Sequence, residues 1–241
     1  MLQMFRKIIL KQQFEPGILG VFINPFYLTR KALLNNIKKI SKEITGKTLD
    51  VGCGTKPYER YFNSTEYIGL EVENTINKEE KSVDIFYKGD KIPFSDNEFD
   101  SVITSQVLEH VFNPQQFLAE INRVLKSNGK LLLTVPFIWD EHEQPFDYGR
   151  YSSFGLKDIL EKNGFKIIKH IKSLNNISAV FQLFNAYVYK ISVKYNLLRQ
   201  ILTLLIMTPS NILAIIFTLI LPKNDDIFLD NVVLAEKVKD V

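Results

Sequence analysis

Short apolar runs alternate with helix-like stretches between Lys47 and Ile171, and most of these runs are continuous, without the in-out alternation of a half-exposed strand. Lys47 to Val51, Tyr67 to Val72, Ser82 to Tyr87, Phe99 to Thr104, Lys130 to Val135 and Phe165 to Ile171 read as strands, with Asn231 to Glu236 as a last one. Apolar residues near a 3.6 period predict a helix from Arg30 to Ile44, stopped by Gly46. A second helix starts at Pro114 and runs through Leu125 to Asn128-Gly129. A third, capped by Ser152 or Ser153, ends at Asn163-Gly164. Strands buried on both faces and separated by helices predict an α/β fold. The expected form is a seven-stranded, mostly parallel sheet with helices on both faces.

Charge is distributed unevenly around this core. From Lys162 to Asn224 there is no Asp or Glu, and Ile201 to Leu221 carries no charge at all. Residues 1–45 are expected to form N-terminal cap or lid helices. Residues 46–174 and 227–241 form the core, and 175–226 are a basic, apolar helical insertion before the last strand. Such an insertion suits an anionic membrane surface or an amphiphilic substrate; helices covering the core or a dimer face are the plainer reading. Pro209 argues against an unbroken membrane span. A net charge of +3 over 241 residues gives no reason to expect a nucleic-acid partner. One cysteine, Cys53, permits neither a disulfide framework nor a cysteine zinc site, and no metal is expected. Met1 to Leu10 does not read as a secretory signal. A cytoplasmic protein, membrane-associated at the cytoplasmic face through its insertion, is the resulting expectation.

Leu49-Asp-Val-Gly-Cys-Gly54 places two glycines at the carboxyl end of the first strand, where open α/β sheets bind ligands. Glycine allows close backbone approach and positive φ. At the end of the second strand Glu71 offers a carboxylate that can accept both hydroxyls of a ribose. A dinucleotide site needs a third glycine near a pyrophosphate; Pro57 stands there, and Asp50 would repel the pyrophosphate. Asp50 suits an ammonium group, so an adenosine with an amino-acid tail fits better than a nicotinamide dinucleotide.

Asp50-Val-Gly-Cys-Gly54, Glu71, Gly89-Asp-Lys-Ile-Pro-Phe94, Phe99-Asp100, Leu108-Glu-His110 and Arg123-Val-Leu-Lys-Ser-Asn-Gly129 together resemble the class I S-adenosylmethionine-dependent methyltransferases, and most closely their type-11 group. The resemblance covers about Lys47 to Ile171 and implies a Rossmann-like fold. It implies S-adenosyl-L-methionine as cofactor, with Gly52, Cys53 and Gly54 along the methionine part and Asp50 near its amino group. Glu71 would hold the ribose, although family members usually carry Asp there. Asp90 would meet the adenine amine, with Lys91 and Ile92 beside the ring. Ser105 and Gln106 would close the site near the sulfonium. Asp100 is expected to be structural, Glu109 and His110 to orient a loop, and Cys53 to be a packing residue and not a nucleophile.

After the fifth strand comes Pro136-Phe-Ile-Trp-Asp-Glu-His-Glu-Gln-Pro-Phe-Asp-Tyr-Gly-Arg-Tyr151, on the ligand-binding edge. It resembles a His-x-x-Pro-x-Asp-Tyr-x-Arg-Tyr signature of some of these enzymes. His142 is the first candidate for a general base, because an imidazole titrates near neutrality. Asp147 is the second, as base or as the group that orients His142. Trp139, Tyr148 and Arg150 are candidate acceptor contacts; an Asp147–Arg150 ion pair that fixes the loop is the plainer alternative. The resulting expectation is methylation, on oxygen, of a small-molecule, glycan or lipid-linked acceptor. A cofactor-binding protein without turnover and a nicotinamide-dependent reductase are the rivals, and oligomeric state is left open.

Overall fold

The computed structural model describes residues 10–73 and 81–241; the reading of Met1 to Leu10 falls almost wholly outside them. The chain divides into two compact units. One comprises residues 36–137, 141–171 and 230–241; the other comprises residues up to 35, 138–140 and 172–229.

Among the described residues the strands are β1 Thr45–Val51, β2 Asn63–Val72, β3 Ile85–Tyr87, β4 Phe99–Ser105, β5 Leu125–Pro136, β6 Phe165–Ser173 and β7 Asp230–Lys237. They form one sheet in the order β3-β2-β1-β4-β5-β7-β6. Pairings from β3 through to β5 are parallel, and β7 enters antiparallel beside β5. The order reverses direction at β1 and β4, which places the ends of these two strands at a switch point suited to ligand binding. Continuous burial explains the continuous apolar runs: Leu49 to Val51, Val102 to Thr104 and Leu131 to Val135 are buried without alternation.

Among the described residues the helices of seven residues or more are α1 Tyr27–Ile40, α2 Pro114–Val124, α3 Ser153–Lys162, α4 Ser178–Ser192, α5 Asn196–Leu202 and α6 Thr208–Ile220. Asn113 caps α2 through the Gln116 N–H, and Ser152 caps α3 through the Gly155 N–H. Phe117, Leu118, Ile121 and Val124 seat α2 on the sheet with Leu49, Val102 and Leu131.

Two boundaries differ from the sequence reading. The first helix ends at Ile40 and passes through a 3-10 turn, Ser41–Glu43. Gly46 is then already inside β1, at a register shift with φ 71, where a Cβ would sit 2.5 Å from Oδ2 of Asp100. That close approach, and not a helix stop, requires glycine there. The second helix ends at Val124, because the carbonyls of Arg123 and Val124 accept N–H bonds from Asn97 and Glu98. Leu125 is drawn into β5 opposite Phe99, and Lys126 to Gly129 form the irregular stretch before pairing resumes at Lys130.

The second unit is helical. Ser178 bonds Thr218 and Asn185 bonds Asn211, so α4 and α6 run antiparallel. Gln182 is fully buried; it accepts from the Thr29 N–H and donates to the Pro25 carbonyl. Asn211 donates to the Val21 carbonyl and Thr208 to that of Phe22. The N-terminal segment and the insertion thus share one interior.

Candidate active site

At the end of β1 the chain turns through Gly52 (φ 76), Cys53 and Gly54 (φ 53). The N–H groups of Gly52 and Cys53 both donate to the Leu70 carbonyl, at 2.8 and 3.2 Å, which ties the turn to β2. A Cβ on Gly52 would lie 2.3 Å from Cγ2 of Val107, whereas a Cβ on Gly54 would meet nothing within 4 Å. The first glycine lets two segments touch; the second leaves backbone facing open space.

Asp50 is buried just before the turn and accepts a 2.6 Å hydrogen bond from the Tyr67 hydroxyl. Burial pushes its carboxyl up to about 7, against the Tyr67 hydrogen bond and the charge of Lys56. An ammonium group beside it would restore the charged form. Glu71 is nearly buried at the end of β2; its Oε2 accepts from the Gly54 N–H at 3.3 Å and from Lys81 at 2.8 Å. Burial, with the charges of Asp50 and Glu71, pushes the Cys53 thiol up to about 12, so it packs and does not attack. Asp84 fixes β2 from below, accepting from the Gly69 N–H at 2.6 Å and pairing with Lys56.

Beyond β3, Gly89 takes φ 91 and Asp90 and Lys91 are exposed. Ile92 is a core residue; its N–H donates to Glu120 and its carbonyl accepts from Arg123. After β4, the Ser105 hydroxyl bonds that of Thr134 at 2.8 Å. Gln106, at φ 59, donates to Thr134 from both backbone and side chain.

Val107, which faces Gly52, leads directly into the turn Leu108–His110. The His110 ring meets that of His142 edge to face, with centroids 4.7 Å apart. The carbonyl of Glu109 accepts the N–H groups of Tyr148 and Gly149, the loop-orienting role expected of this segment. Its carboxyl group is fully buried, and neither oxygen has a hydrogen-bond partner from another residue. Burial pushes it up to about 8, with Asp230 adding to the effect, so it is largely protonated at neutral pH.

Asp147 anchors the other side. Arg150 donates to both its oxygens, at 2.6 and 2.7 Å, and the His142 N–H donates to Oδ2 at 2.9 Å. Burial raises the Asp147 pKa, but these bonds and the Arg150 charge outweigh it and hold the group down to about 2. Asp147 is therefore a fixed anion, and Nδ1 of His142 lies 3.3 Å from its Oδ2. Tyr148 is half exposed and stacks edge-on against Phe112. Trp139 belongs to the helical unit, where it packs against Phe26, and Asp140 there pairs with Lys190.

Donor atoms of Glu109, His110 and His142 lie within 4.8 Å of one another. Within it, Nε2 of His110 lies 3.8 Å from Oε1 of Glu109, and Oε2 of Glu143 lies 3.9 Å from the same nitrogen. Sequence reasoning missed the His110–His142 contact. Its only signal was that both segments follow neighbouring strands on the same edge.

Residues 49–133 match the family described as "Methyltransferase domain". This match, with methyltransferases among the structures that share the fold, supports a class I S-adenosylmethionine-dependent methyltransferase. An uncharacterized methyltransferase of Schizosaccharomyces pombe is 36% identical to it, over 40% of this chain and 40% of its own length. A mitochondrial ubiquinone biosynthesis O-methyltransferase of Rattus norvegicus is 37% identical, over 39% of this chain and 32% of its own. The methyltransferase spans less than half the length of either. Among solved structures, phosphoethanolamine N-methyltransferase 2 of Haemonchus contortus with S-adenosyl-L-methionine superposes with a TM-score of 0.53 at 18% identity. That alignment covers 95% of this chain and 59% of the other, and shows a shared fold.

S-adenosyl-L-methionine is the cofactor of this methyltransferase. The residues present fit it: a buried carboxyl at Asp50 that an ammonium would ionise, open backbone at Gly54, and an acidic acceptor at Glu71. The family match also sets aside the nicotinamide-dependent reductase.

Proposed function

We propose that this methyltransferase transfers a methyl group to a hydroxyl of a small-molecule, glycan or lipid-linked acceptor, with His142 as general base. The cofactor supplies a methyl carbon made electrophilic by its sulfonium. When bound, it would give that methyl to the acceptor oxygen and leave as S-adenosylhomocysteine, while His142 would take the hydroxyl proton. The carrying observation is the chain Arg150–Asp147–His142. Asp147 faces Nδ1 of His142 at 3.3 Å, which favours the tautomer with its proton on Nδ1 and leaves Nε2 to accept. Arg150 then acts by fixing Asp147, and Tyr148 is the remaining candidate contact for the acceptor on this loop.

Oxygen as the methylated atom is supported by the likeness to the rat O-methyltransferase and by the presence of a positioned base, which a more nucleophilic acceptor would not need. Asp50, Gly52, Gly54 and Glu71 would hold the cofactor, with Asp90 and Lys91 toward the adenine and Ser105 and Gln106 toward the sulfonium. A cytoplasmic location is part of the same reading.

The test is product formation from methyl-labelled cofactor with polyhydroxylated and amphiphilic acceptors. His142→Gln should lower turnover by about 10²- to 10⁴-fold with S-adenosylhomocysteine affinity unchanged. Equal turnover in wild type and variant would remove His142 from the chemistry.

A further inference from the structure

The helical unit mixes polar side chains into its interior and leaves apolar ones outside. Its interior carries the polar side chains of Gln182, Asn185 and Asn211, all buried and hydrogen-bonded within the unit. Its outside carries Leu204, Leu205, Leu213, Ile216, Leu219 and Ile220, exposed at between 44% and 83%. Helices that face water place these residue types the other way round. Apolar exposure on this scale marks a surface that is covered when the protein works.

The length of the element points to its cover. A π-helical turn, Thr203–Met207, joins α5 to α6, giving 25 continuous residues from Asn196 to Ile220. Among the described residues this helix alone is long and apolar enough to cross a membrane, and only 33% of its most apolar window is buried. Charge narrows the choice further. The acid-free stretch from Lys162 to Asn224 places Lys190, Lys194 and Arg199 around the bend between α4 and α5, and Lys223 past the end of α6. A second copy of the same chain would bring like charges together, whereas an anionic lipid surface complements them. Tyr187 and Tyr195, both about two-thirds exposed near the same bend, suit the headgroup boundary.

We propose that this unit seats on an anionic bilayer. The helix from Asn196 to Ile220 lies in the plane of the interface, with its apolar outer side in the acyl boundary and Lys194, Arg199 and Lys223 among the headgroups. It does not cross. The Asn224 N–H donates to the Asn175 carbonyl, and Asn175 also bonds the Asp225 carboxylate, so the segment 172–229 begins and ends side by side. Crossing would carry the cations of the bend through hydrocarbon. This seating holds whichever acceptor the enzyme uses.

Sedimentation of the full chain with vesicles tests it, using phosphatidylcholine alone or mixed with phosphatidylglycerol. The chain should pellet with the mixed vesicles and remain largely in solution with phosphatidylcholine alone. Leu204→Glu with Leu205→Glu should weaken partitioning by at least about tenfold, and Lys194→Ala by about fivefold. S-adenosylhomocysteine binding, measured on the same samples, should be unchanged, which separates this proposal from the enzymatic one. Wild-type chain left in solution with the mixed vesicles overturns the proposal, as does equal partitioning of the double variant. A vesicle-free dimer that the double variant dissociates also overturns it, in favour of a second copy as the cover.

Discussion

Asp147 meets Arg150 with both carboxylate oxygens and, through Oδ2, faces Nδ1 of His142 at 3.3 Å. The carboxylate is almost wholly buried and held charged, which in the proposed mechanism suits it to orient His142. Asp147→Asn keeps the size and loses the charge. Turnover should fall by about 10²-fold or more, and unfolding free energy by about 1.5–3 kcal/mol, the usual worth of a charge-assisted hydrogen bond. Initial rates and urea melts read the two effects separately.

Gly52 presses on Val107 at the switch point of the sheet. Gly52→Ala puts a Cβ at φ 76 and within 2.3 Å of Val107. Unfavourable backbone geometry alone costs about 1–3 kcal/mol, and cofactor affinity should fall with it. Val107→Ala added to Gly52→Ala should recover part of the stability, because it removes the clash but not the backbone strain. Paired denaturation curves of the single and double variants check this.

Cofactor affinity should depend on pH through Asp50. Its carboxyl titrates at about 7 because it is buried, and only the anion attracts an ammonium. The apparent dissociation constant of S-adenosylhomocysteine should therefore tighten as pH rises from 5.5 to 7.5, approaching tenfold per unit at the acid end. Asp50→Asn should bind more weakly and flatten the profile. Calorimetry at four or five pH values decides it.

Glu109 carries the opposite consequence for stability. Its folded pKa, about 8, lies above the ordinary value of 4.5. Between these values the unfolded chain has lost the proton that the folded chain keeps, so stability falls as pH rises through this window and levels off above about 8. Glu109→Gln stays neutral and should gain on the wild type as pH rises from 5 to 8. Denaturant midpoints at pH 5.5, 7 and 8.5 measure the difference.

Much of the sheet was legible in the sequence because burial on both faces writes itself as unbroken apolar runs, as at Leu131 to Val135. Helix ends were less so. Val124 hands over to β5 because Asn97 and Glu98 take its last carbonyl bonds, a contact that no local pattern announces. The glycine turn was readable because positive φ and close approach restrict residue type at Gly52. The Arg150–Asp147 pair and Asp147 as a partner of His142 were both weighed from the sequence, but the bidentate contact and the 3.3 Å approach to Nδ1 needed coordinates. The His110–His142 contact joins two loops from different strands and left no mark in either. The polar interior of the helical unit was hidden too, since Gln182 and Asn211 look like surface residues until their backbone partners are seen.

Titration of the full-length chain with S-adenosylhomocysteine tests the central claim most directly. Saturable binding at one site per chain, lost in Glu71→Ala and in Gly52→Val while both variants remain folded, is the predicted result. Binding that survives both substitutions, or a folded wild-type chain that takes up no ligand, would contradict it.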